Sequence, residues 1–191
     1  MQHLLTPYSR KIEPFAWWDG AFNDQELDWL QERTKQASDE GLLNGENLNN
    51  SVRRTKVNWL YSDPETKWVY EKLSHVVARL NADVFGFDLT GFGEPLQLTH
   101  YLSSNQGEYK WHQDFGSQGP SRKLSLVMQL SDPGSYEGGA LQLFSSGKPA
   151  TLEKKRGLIY AFPSWAVHQV TPVTKGTRQS LVTWITGPEF K

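Results

Sequence analysis

The spacing of hydrophobic residues changes near Pro95 and divides the chain into two parts. Before this point apolar residues recur every three or four positions, which predicts helices. The first helix is expected to begin at a cap formed by Asn23 or Asp24 and to run to about Ala37, and the second to begin near residue 63. After Pro95 apolar and polar residues alternate, as they do in strands with one buried face. The predicted strands are 54–60, 96–102, 123–131, 140–144, 157–162, 166–171 and 178–186.

This order of elements predicts a single, mainly β domain over residues 1–191 with helices near its N-terminus. Residues 1–94 would provide helical support and a lid, and residues 95–188 would form a two-sheet antiparallel roll with helices against one sheet. The Gly- and Asn-rich segment 41–51 is predicted to be an exposed loop. We expect it to be a mobile lid that becomes ordered over a substrate.

Alternation also predicts which side chains point into the roll. If the leucines of strands 96–102 and 123–131 pack under the helices, the intervening residues face inward. An inward arginine, Arg178, is energetically unfavourable unless it meets an anion. Pairing with Glu137 or Asp132 at the edge of the roll is one alternative, and a bound dicarboxylate is another. The residues predicted to face inward are Gln97, Thr99, Tyr101, Ser125, Val127, Gln129, Arg178, Ser180, Val182 and Trp184.

Composition restricts the chemistry that this chain can perform. It has no cysteine, so any metal must be held by histidine and carboxylate, and disulfides are excluded. A net charge of −1 provides little attraction for nucleic acid or for an anionic membrane surface. We find no apolar run of the length of a signal peptide or membrane span, which predicts a soluble cytoplasmic protein.

The most informative residues are His112 and Asp114 in His-Gln-Asp, followed by His168. Residues two apart on a strand project to the same side, so His112 and Asp114 are predicted to lie on one face. Two imidazoles and one carboxylate on one face of a metal leave the opposite face open. This pattern is typical of non-heme iron(II) sites that bind a cosubstrate and dioxygen.

Together with their surroundings, these residues closely resemble the Fe(II)/2-oxoglutarate-dependent dioxygenases, and within them the prolyl-4-hydroxylase-type branch. The resemblance covers about residues 95–188, and the N-terminal part matches only loosely. It implies a double-stranded β-helix (jelly-roll) core. The segments that carry it are Tyr109-Lys110-Trp111-His112-Gln113-Asp114, Tyr136-Glu137-Gly138-Gly139-Ala140-Leu141, Phe162-Pro163-Ser164, His168-Gln169-Val170-Thr171-Pro172-Val173 and Lys175-Gly176-Thr177-Arg178.

The resemblance implies that His112, Asp114 and His168 bind Fe(II), and that Arg178 binds the distal carboxylate of 2-oxoglutarate. The implied reaction is hydroxylation of an unactivated C–H bond at the iron centre, with release of succinate and carbon dioxide and with L-ascorbate supporting activity. An aspartate ligand favours hydroxylation over halogenation. Animal oxygen-sensing relatives carry a tyrosine where this chain has Gln129. The expected supporting contacts to the cosubstrate are Tyr101, Ser180, Gln129 and Trp184.

The expected substrate is a prolyl residue of a peptide or protein. A free amino acid or another small molecule is the alternative substrate, and a jelly-roll ligand-binding module is the non-enzymatic alternative. Nucleic acid is disfavoured because residues 179–184 lack the additional arginine of the demethylating relatives.

Arg53, Arg54 and Lys56 are most simply a solvated charge run, although the two arginines would be near a peptide under a closed lid. The candidate residues of the substrate rim are Trp111, Arg122, Trp165, Arg53, Arg54 and Tyr109.

Overall fold

The computed structural model describes residues 13–36, 39–40, 52–115 and 121–189. Within these residues there are two α-helices, α1 (Asp24–Thr34) and α2 (Lys67–Leu80), and a π-helical turn over Asn81–Phe85. No helix in the described ranges has the length and apolar character needed to cross a membrane.

Strands from both halves of the chain build two antiparallel sheets. The major sheet has the order β1-β12-β8-β14-β6-β4-β2, with β5 and β9 also paired to β14, and the minor sheet has the order β11-β10-β13-β7-β3. The strands are β1 (Ala16–Trp18), β2 (Asp39–Glu40), β3 (Arg53–Arg54), β4 (Lys56–Leu60), β5 (Gly91–Phe92), β6 (Leu96–Leu102), β7 (Glu108–His112), β8 (Arg122–Gln129), β9 (Tyr136–Gly138), β10 (Leu141–Ser145), β11 (Lys148–Thr151), β12 (Ile159–Pro163), β13 (His168–Val170) and β14 (Val173–Thr186). The predicted mainly β fold with a two-sheet roll is confirmed.

The caps of the two helices differ from each other. The Asn23 side chain accepts a hydrogen bond from the backbone N–H of Glu26, whose carboxylate accepts one from the N–H of Asn23. This reciprocal cap fixes the predicted start of α1, although the helix ends at Thr34 and not near residue 37. The predicted start of α2 near residue 63 is wrong. The Asp63 carboxylate accepts the N–H groups of Glu65 and Thr66, which holds a turn ahead of the helix.

Two hydrophobic clusters fill the spaces between the layers of the protein. The first lies between the helices and the outer face of the major sheet and joins Leu30 and Leu73 to Leu98 and Met128. The second lies between the two sheets and includes Tyr101, Val127, Leu143, Phe162 and Val170. The alternation predicted for β6 and β8 is therefore confirmed, with leucines toward the helices and polar residues toward the interior.

Strand boundaries account for most of the differences from the prediction. The expected strand 54–60 is two strands, because the chain passes from the minor sheet in β3 to the major sheet in β4 at Thr55. β14 begins at Val173, before the predicted residue 178. Alternation did not indicate β1, β2, β5, β9 and β11, all of which have four residues or fewer, whereas the His-x-Asp spacing did predict a strand at β7.

Candidate metal centre and anion pocket

Three potential metal ligands meet at one end of the roll. His112 ends β7 and is paired with His168 at the start of β13. Asp114 Oδ1 lies 3.5 Å from His112 Nε2, and Asp114 Oδ2 lies 3.4 Å from His168 Nε2. The strand predicted through Asp114 stops at His112. A hydrogen bond from the Asp114 N–H to the Ser164 carbonyl then holds the aspartate in place.

The two imidazoles are oriented by backbone carbonyls. His112 Nδ1 lies 2.7 Å from the carbonyl oxygen of Lys110, and His168 Nδ1 lies 2.8 Å from that of Ala166. Because a carbonyl only accepts, each Nδ1 carries the proton and donates it. Each Nε2 lone pair is therefore available on the side of Asp114. Neutral imidazole nitrogens beside a carboxylate match the donor set of a non-heme iron(II) site.

Electrostatics favour the protonation states that a metal requires at Asp114 and His168. Burial raises the pKa of the Asp114 carboxyl, but His168 and His112 outweigh this effect, and the pKa lies below its usual range. Burial lowers the pKa of His168, partly opposed by Asp114. A neutral imidazole and an ionised carboxylate are the forms that coordinate a cation.

Arg178 is buried inside the roll with a relative exposure of 1%. Its Nη1 donates to Ser180 Oγ at 3.0 Å and its Nη2 to Gln129 Oε1 at 3.1 Å. Its Nε has no hydrogen-bond partner within the described part of the chain. The alternative partners at the edge are engaged elsewhere, since Glu137 pairs with Lys175 and Asp132 accepts the N–H of Gly134. The guanidinium thus has only neutral partners among the described residues.

A single cavity joins Arg178 to the three potential metal ligands. Of the residues predicted to contact a cosubstrate, Tyr101, Ser180 and Trp184 line this cavity. Gln129 does not line it but accepts a hydrogen bond from Arg178, which does. Trp184 Nε1, which helps to lower the pKa of the Asp114 carboxyl, makes no close hydrogen bond within the described residues. An anion with acceptors at both ends therefore fits between Arg178 and the metal position. The remaining lining residues are Arg53, Gln97, Tyr109, Val127, Leu141, Val170 and Val182.

Two neighbours fix the position of Arg178. Gly139 has φ of +58°, and a Cβ there would lie 3.0 Å from Arg178 Cδ, so the close approach favours glycine. Gln179 faces the opposite side of β14, where it accepts a 2.8 Å hydrogen bond from Gln31 and donates to Thr34 of α1. Helix α1 therefore holds the strand that carries the buried guanidinium.

The predicted rim residues fall into different environments. Trp111 and Trp165 are each 38% exposed, so both remain candidates for substrate contact. Arg122 is occupied by Glu94 through two 2.6 Å hydrogen bonds, and its Cζ lies 3.8 Å from the Trp184 ring centroid. Arg122 therefore supports Trp184, and its contact with a substrate stays a prediction.

The prediction of a solvated charge run is wrong for Arg53, which is 4% exposed. Its Nη2 donates a 2.7 Å hydrogen bond to Gln97 Oε1 across the roll. Arg54 pairs with Glu108 at 2.8 Å instead. Tyr109 lies inside the cavity, with its ring stacked on His112, and burial raises the pKa of Tyr109 to about 12. The predicted lid, 41–51, lies outside the described residues.

Three residues that contact the site, Ser125, Ser164 and Glu94, were not predicted to belong to it. Ser125 was expected to face inward, but its 2.8 Å hydrogen bond to Asp114 was not foreseen. Ser164 belongs to one of the segments that carry the resemblance, and its hydroxyl lies 3.0 Å from that of Ser125. No spacing rule links Glu94 to Arg122, because β6 and β7 lie between them and the pairing depends on the tertiary fold.

Comparisons with known proteins agree with this geometry. Residues 96–186 match the 2OG-Fe(II) oxygenase superfamily. A PKHD-type hydroxylase from Synechococcus sp. (strain CC9311) is 35% identical over 99 residues, which is 50% of this chain and 45% of the relative. One from Prochlorococcus marinus is 38% identical over 84 residues, covering 44% and 38%. The matched segment spans less than half the length of these curated relatives.

Solved structures share the fold over most of the chain. A Pseudomonas putida prolyl-4-hydroxylase superposes with a TM-score of 0.73 at 18% identity, covering 92% of this chain and 94% of that one. A Trichoplax adhaerens prolyl hydroxylase, solved with a hypoxia inducible factor peptide fragment, gives 0.76 at 17% identity, covering 91% and 84%. The resemblance to the prolyl-4-hydroxylase type is confirmed. Residues 96–186, which contain the His-Asp-His cluster and Arg178, are the part of the chain that is similar to the 2OG-Fe(II) oxygenase superfamily.

Proposed function

We propose that this chain is an iron(II)- and 2-oxoglutarate-dependent dioxygenase that hydroxylates a prolyl residue of a peptide or protein. The observation that carries the proposal is the shared cavity of His112, Asp114, His168 and Arg178. A buried guanidinium with only neutral partners favours an anionic ligand. Its location in the cavity of a potential metal site makes a metal-chelating dicarboxylate a suitable ligand.

In this proposal His112 Nε2, His168 Nε2 and an Asp114 oxygen hold iron(II), and Ser125 restricts the rotation of the aspartate. Arg178 and the Ser180 hydroxyl hold the distal carboxylate, while Gln129 fixes the guanidinium plane. Iron(II) and 2-oxoglutarate, when bound, would supply C–H hydroxylation coupled to the release of succinate and carbon dioxide. The buried walls exclude bulk water, which strengthens these charged contacts.

The names of the similar proteins support the choice of substrate. PKHD-type hydroxylases are among the curated relatives, and the fold neighbours include prolyl hydroxylases, one of them with a peptide. Trp111 and Trp165, both partly exposed, offer aromatic contacts for a peptide beside the metal site. A free amino acid is the second candidate, and the burial of Arg53 in the cavity favours it.

The experiment is a turnover assay of the purified chain with iron(II), L-ascorbate and 2-oxoglutarate. We expect succinate release that increases with proline-containing peptides, and a mass gain of one oxygen atom in the peptide. Asp114→Ala and Arg178→Ala are the matched inactive controls. Free proline and other amino acids are tested in parallel, and oxygen gained only there would favour the small-molecule substrate. Wild-type protein that binds 2-oxoglutarate but forms no succinate with any substrate would contradict the proposal.

A further inference from the structure

Arg53 and Arg54 are consecutive arginines in opposite environments. Arg54 Nη2 pairs with Glu108 at 2.8 Å, and its guanidinium also donates to the carbonyl groups of Asn105 and Gln106. Arg53 is buried and lines the cavity that contains the potential metal ligands. The nearby carboxylate is thus used by the more exposed arginine, and the buried one is left with neutral partners.

The contacts of Arg53 place its charge near the reaction centre. Its Nη2 donates to Gln97 Oε1 at 2.7 Å, and its Cζ lies 4.8 Å from the ring centroid of Tyr109. That ring is stacked on His112, with centroids 3.4 Å apart. Arg53 Nε has no hydrogen-bond partner within the described residues. One aromatic ring therefore separates the guanidinium, with a free donor, from a potential metal ligand.

The charges of the proposed complex do not account for Arg53. A divalent iron would be balanced by Asp114 and by the metal-bound carboxylate of 2-oxoglutarate, and Arg178 by the distal carboxylate. Histidines that bind a metal through Nε2 carry no charge, and Arg122 is paired with Glu94. One buried positive charge then remains without a counter-charge in the described part of the site. An uncompensated buried charge is costly, so a ligand that supplies an anion there is favoured.

The hydrogen-bond partners of Arg53 also differ from those of Arg178, the proposed anchor of the distal carboxylate. Arg53 is held at Gln97, whereas Arg178 is paired in register with Tyr101 on the same strand β6. The Arg178 guanidinium donates to Ser180 and Gln129, so the two guanidiniums form separate groups of donors in the cavity.

We infer that Arg53 binds an anionic group of the substrate, most simply a carboxylate close to the carbon that is hydroxylated. The inference rests on the proposed function and specifies its substrate class. The carboxylate has three sources: a free chain end, an acidic side chain next to the reacting residue, or the carboxylate of a small molecule. All three present the same two acceptor oxygens to the guanidinium.

The test measures binding to an inert complex, independently of turnover. The protein is loaded with Mn(II) and N-oxalylglycine, and ligand affinity is measured by tryptophan fluorescence. Ligands are offered in charged and neutral pairs: N-acetylproline and its amide, proline peptides ending in carboxylate or amide, and peptides with Asp or Asn and Glu or Gln beside proline. We expect wild type to prefer the charged member of at least one pair by about tenfold in Kd.

Three variants assign that preference to one side chain. Arg53→Gln should remove it, and Gln97→Glu should also remove it, because an internal carboxylate would then occupy Arg53. Arg54→Gln, at the adjacent position, is the matched control and should keep it. Gln97→Glu adds an ion pair, so it tests the inference even if Arg53→Gln does not fold.

The outcomes distinguish this inference from the proposed function. Equal affinity of wild type for both members of every pair would overturn it, as would a preference that survives in Arg53→Gln or Gln97→Glu. Loss of N-oxalylglycine binding in Arg53→Gln would assign the side chain to the cosubstrate instead. Charge-selective binding without oxygen transfer would retain the inference and contradict the proposed function, and unselective hydroxylation would do the reverse.

Discussion

The hydroxyl of Ser125 donates a 2.8 Å hydrogen bond to Asp114 Oδ2, and both groups are buried. Ser125 lies on β8 of the major sheet, whereas Asp114 follows β7 of the minor sheet. This bond therefore connects the two sheets at the potential metal centre. It leaves Oδ1, the oxygen nearer His112, without that constraint.

Loss of this bond should weaken metal binding. A ligand that loses its orienting partner typically loses about 10–100-fold in metal affinity, and we expect Ser125→Ala to fall in this range. The measurement is Mn(II) affinity by electron paramagnetic resonance. Ser74→Ala, at an exposed position of α2, is the control and should bind as wild type does. An unchanged affinity in Ser125→Ala would show that the Asp114 carboxylate needs no orientation by this hydroxyl.

Metal binding should stabilise the native protein, and only with all three ligands present. At a metal concentration about a hundredfold above Kd, the free energy of unfolding should rise by about 2.7 kcal/mol. Thermal unfolding with Mn(II) and with a chelator measures this difference. His168→Ala should unfold at the same temperature in both conditions and should have no turnover. Retention of the full metal-dependent shift in His168→Ala would remove this residue from the site.

Replacing a neutral partner of Arg178 by a carboxylate should block the anion site. In Gln129→Glu the new carboxylate would lie about where Gln129 Oε1 now accepts from Arg178 at 3.1 Å, and would form an internal ion pair. We expect unchanged or higher thermal stability together with loss of 2-oxoglutarate binding, measured by calorimetry. Normal 2-oxoglutarate affinity in Gln129→Glu would contradict the assignment of Arg178 as the anchor.

Removing the Arg178 guanidinium should also weaken 2-oxoglutarate binding, because the positive charge itself is then absent. Arg178→Ala should weaken 2-oxoglutarate binding by about 2–5 kcal/mol, because a buried charged pair is lost. Arg178→Lys should restore only part of it, since an ammonium cannot reproduce the planar fork. The measured quantity is KM for 2-oxoglutarate in succinate release. Wild-type values in both variants would give Arg178 a structural role only.

Alanine substitution of two glycines with positive φ, Gly138 and Gly20, should show how tightly the turn before β10 is packed. In Gly138→Ala the new Cβ would lie 2.0 Å from the carbonyl oxygen of Pro172, so backbone must move. At Gly20, also with positive φ, the added Cβ meets nothing within 4 Å. We expect Gly20→Ala to cost about 1–2 kcal/mol from backbone strain and Gly138→Ala clearly more. Denaturant unfolding of both variants gives the comparison, and equal losses would contradict the predicted clash.

The sequence was sufficient to predict those parts of the protein that depend on local periodicity. Alternation placed Gln129 and Arg178 on the inner face, and the roll confirms both. Arg53 was misjudged because an arginine beside other charges resembles a solvated surface. Its burial depends on the crossing of the chain from β3 to β4, where the side chain reaches Gln97 across the roll. Such a contact joins residues 44 positions apart and has no periodic signal.

The ionic contacts were equally difficult to predict. Glu94 and Arg122 are 28 positions apart, and nothing in their spacing distinguishes them from other acidic and basic residues. The same holds for Ser125, whose inward direction was predictable but whose acceptor was not. Side-chain direction follows from secondary structure, whereas the choice of partner is made by the tertiary fold.

The position of β14 has a consequence for synthesis on the ribosome. β14 lies between β8 and β6, which are not paired with each other, and follows them in the chain. Until residues 173–186 have left the exit tunnel, the nascent major sheet remains in two separate pieces with open edges. Open strand edges are prone to pairing with other chains. The nascent protein is therefore most exposed to aggregation during this interval, when a chaperone could cover the edges. The strand that carries Arg178 thus also completes vectorial folding of the major sheet.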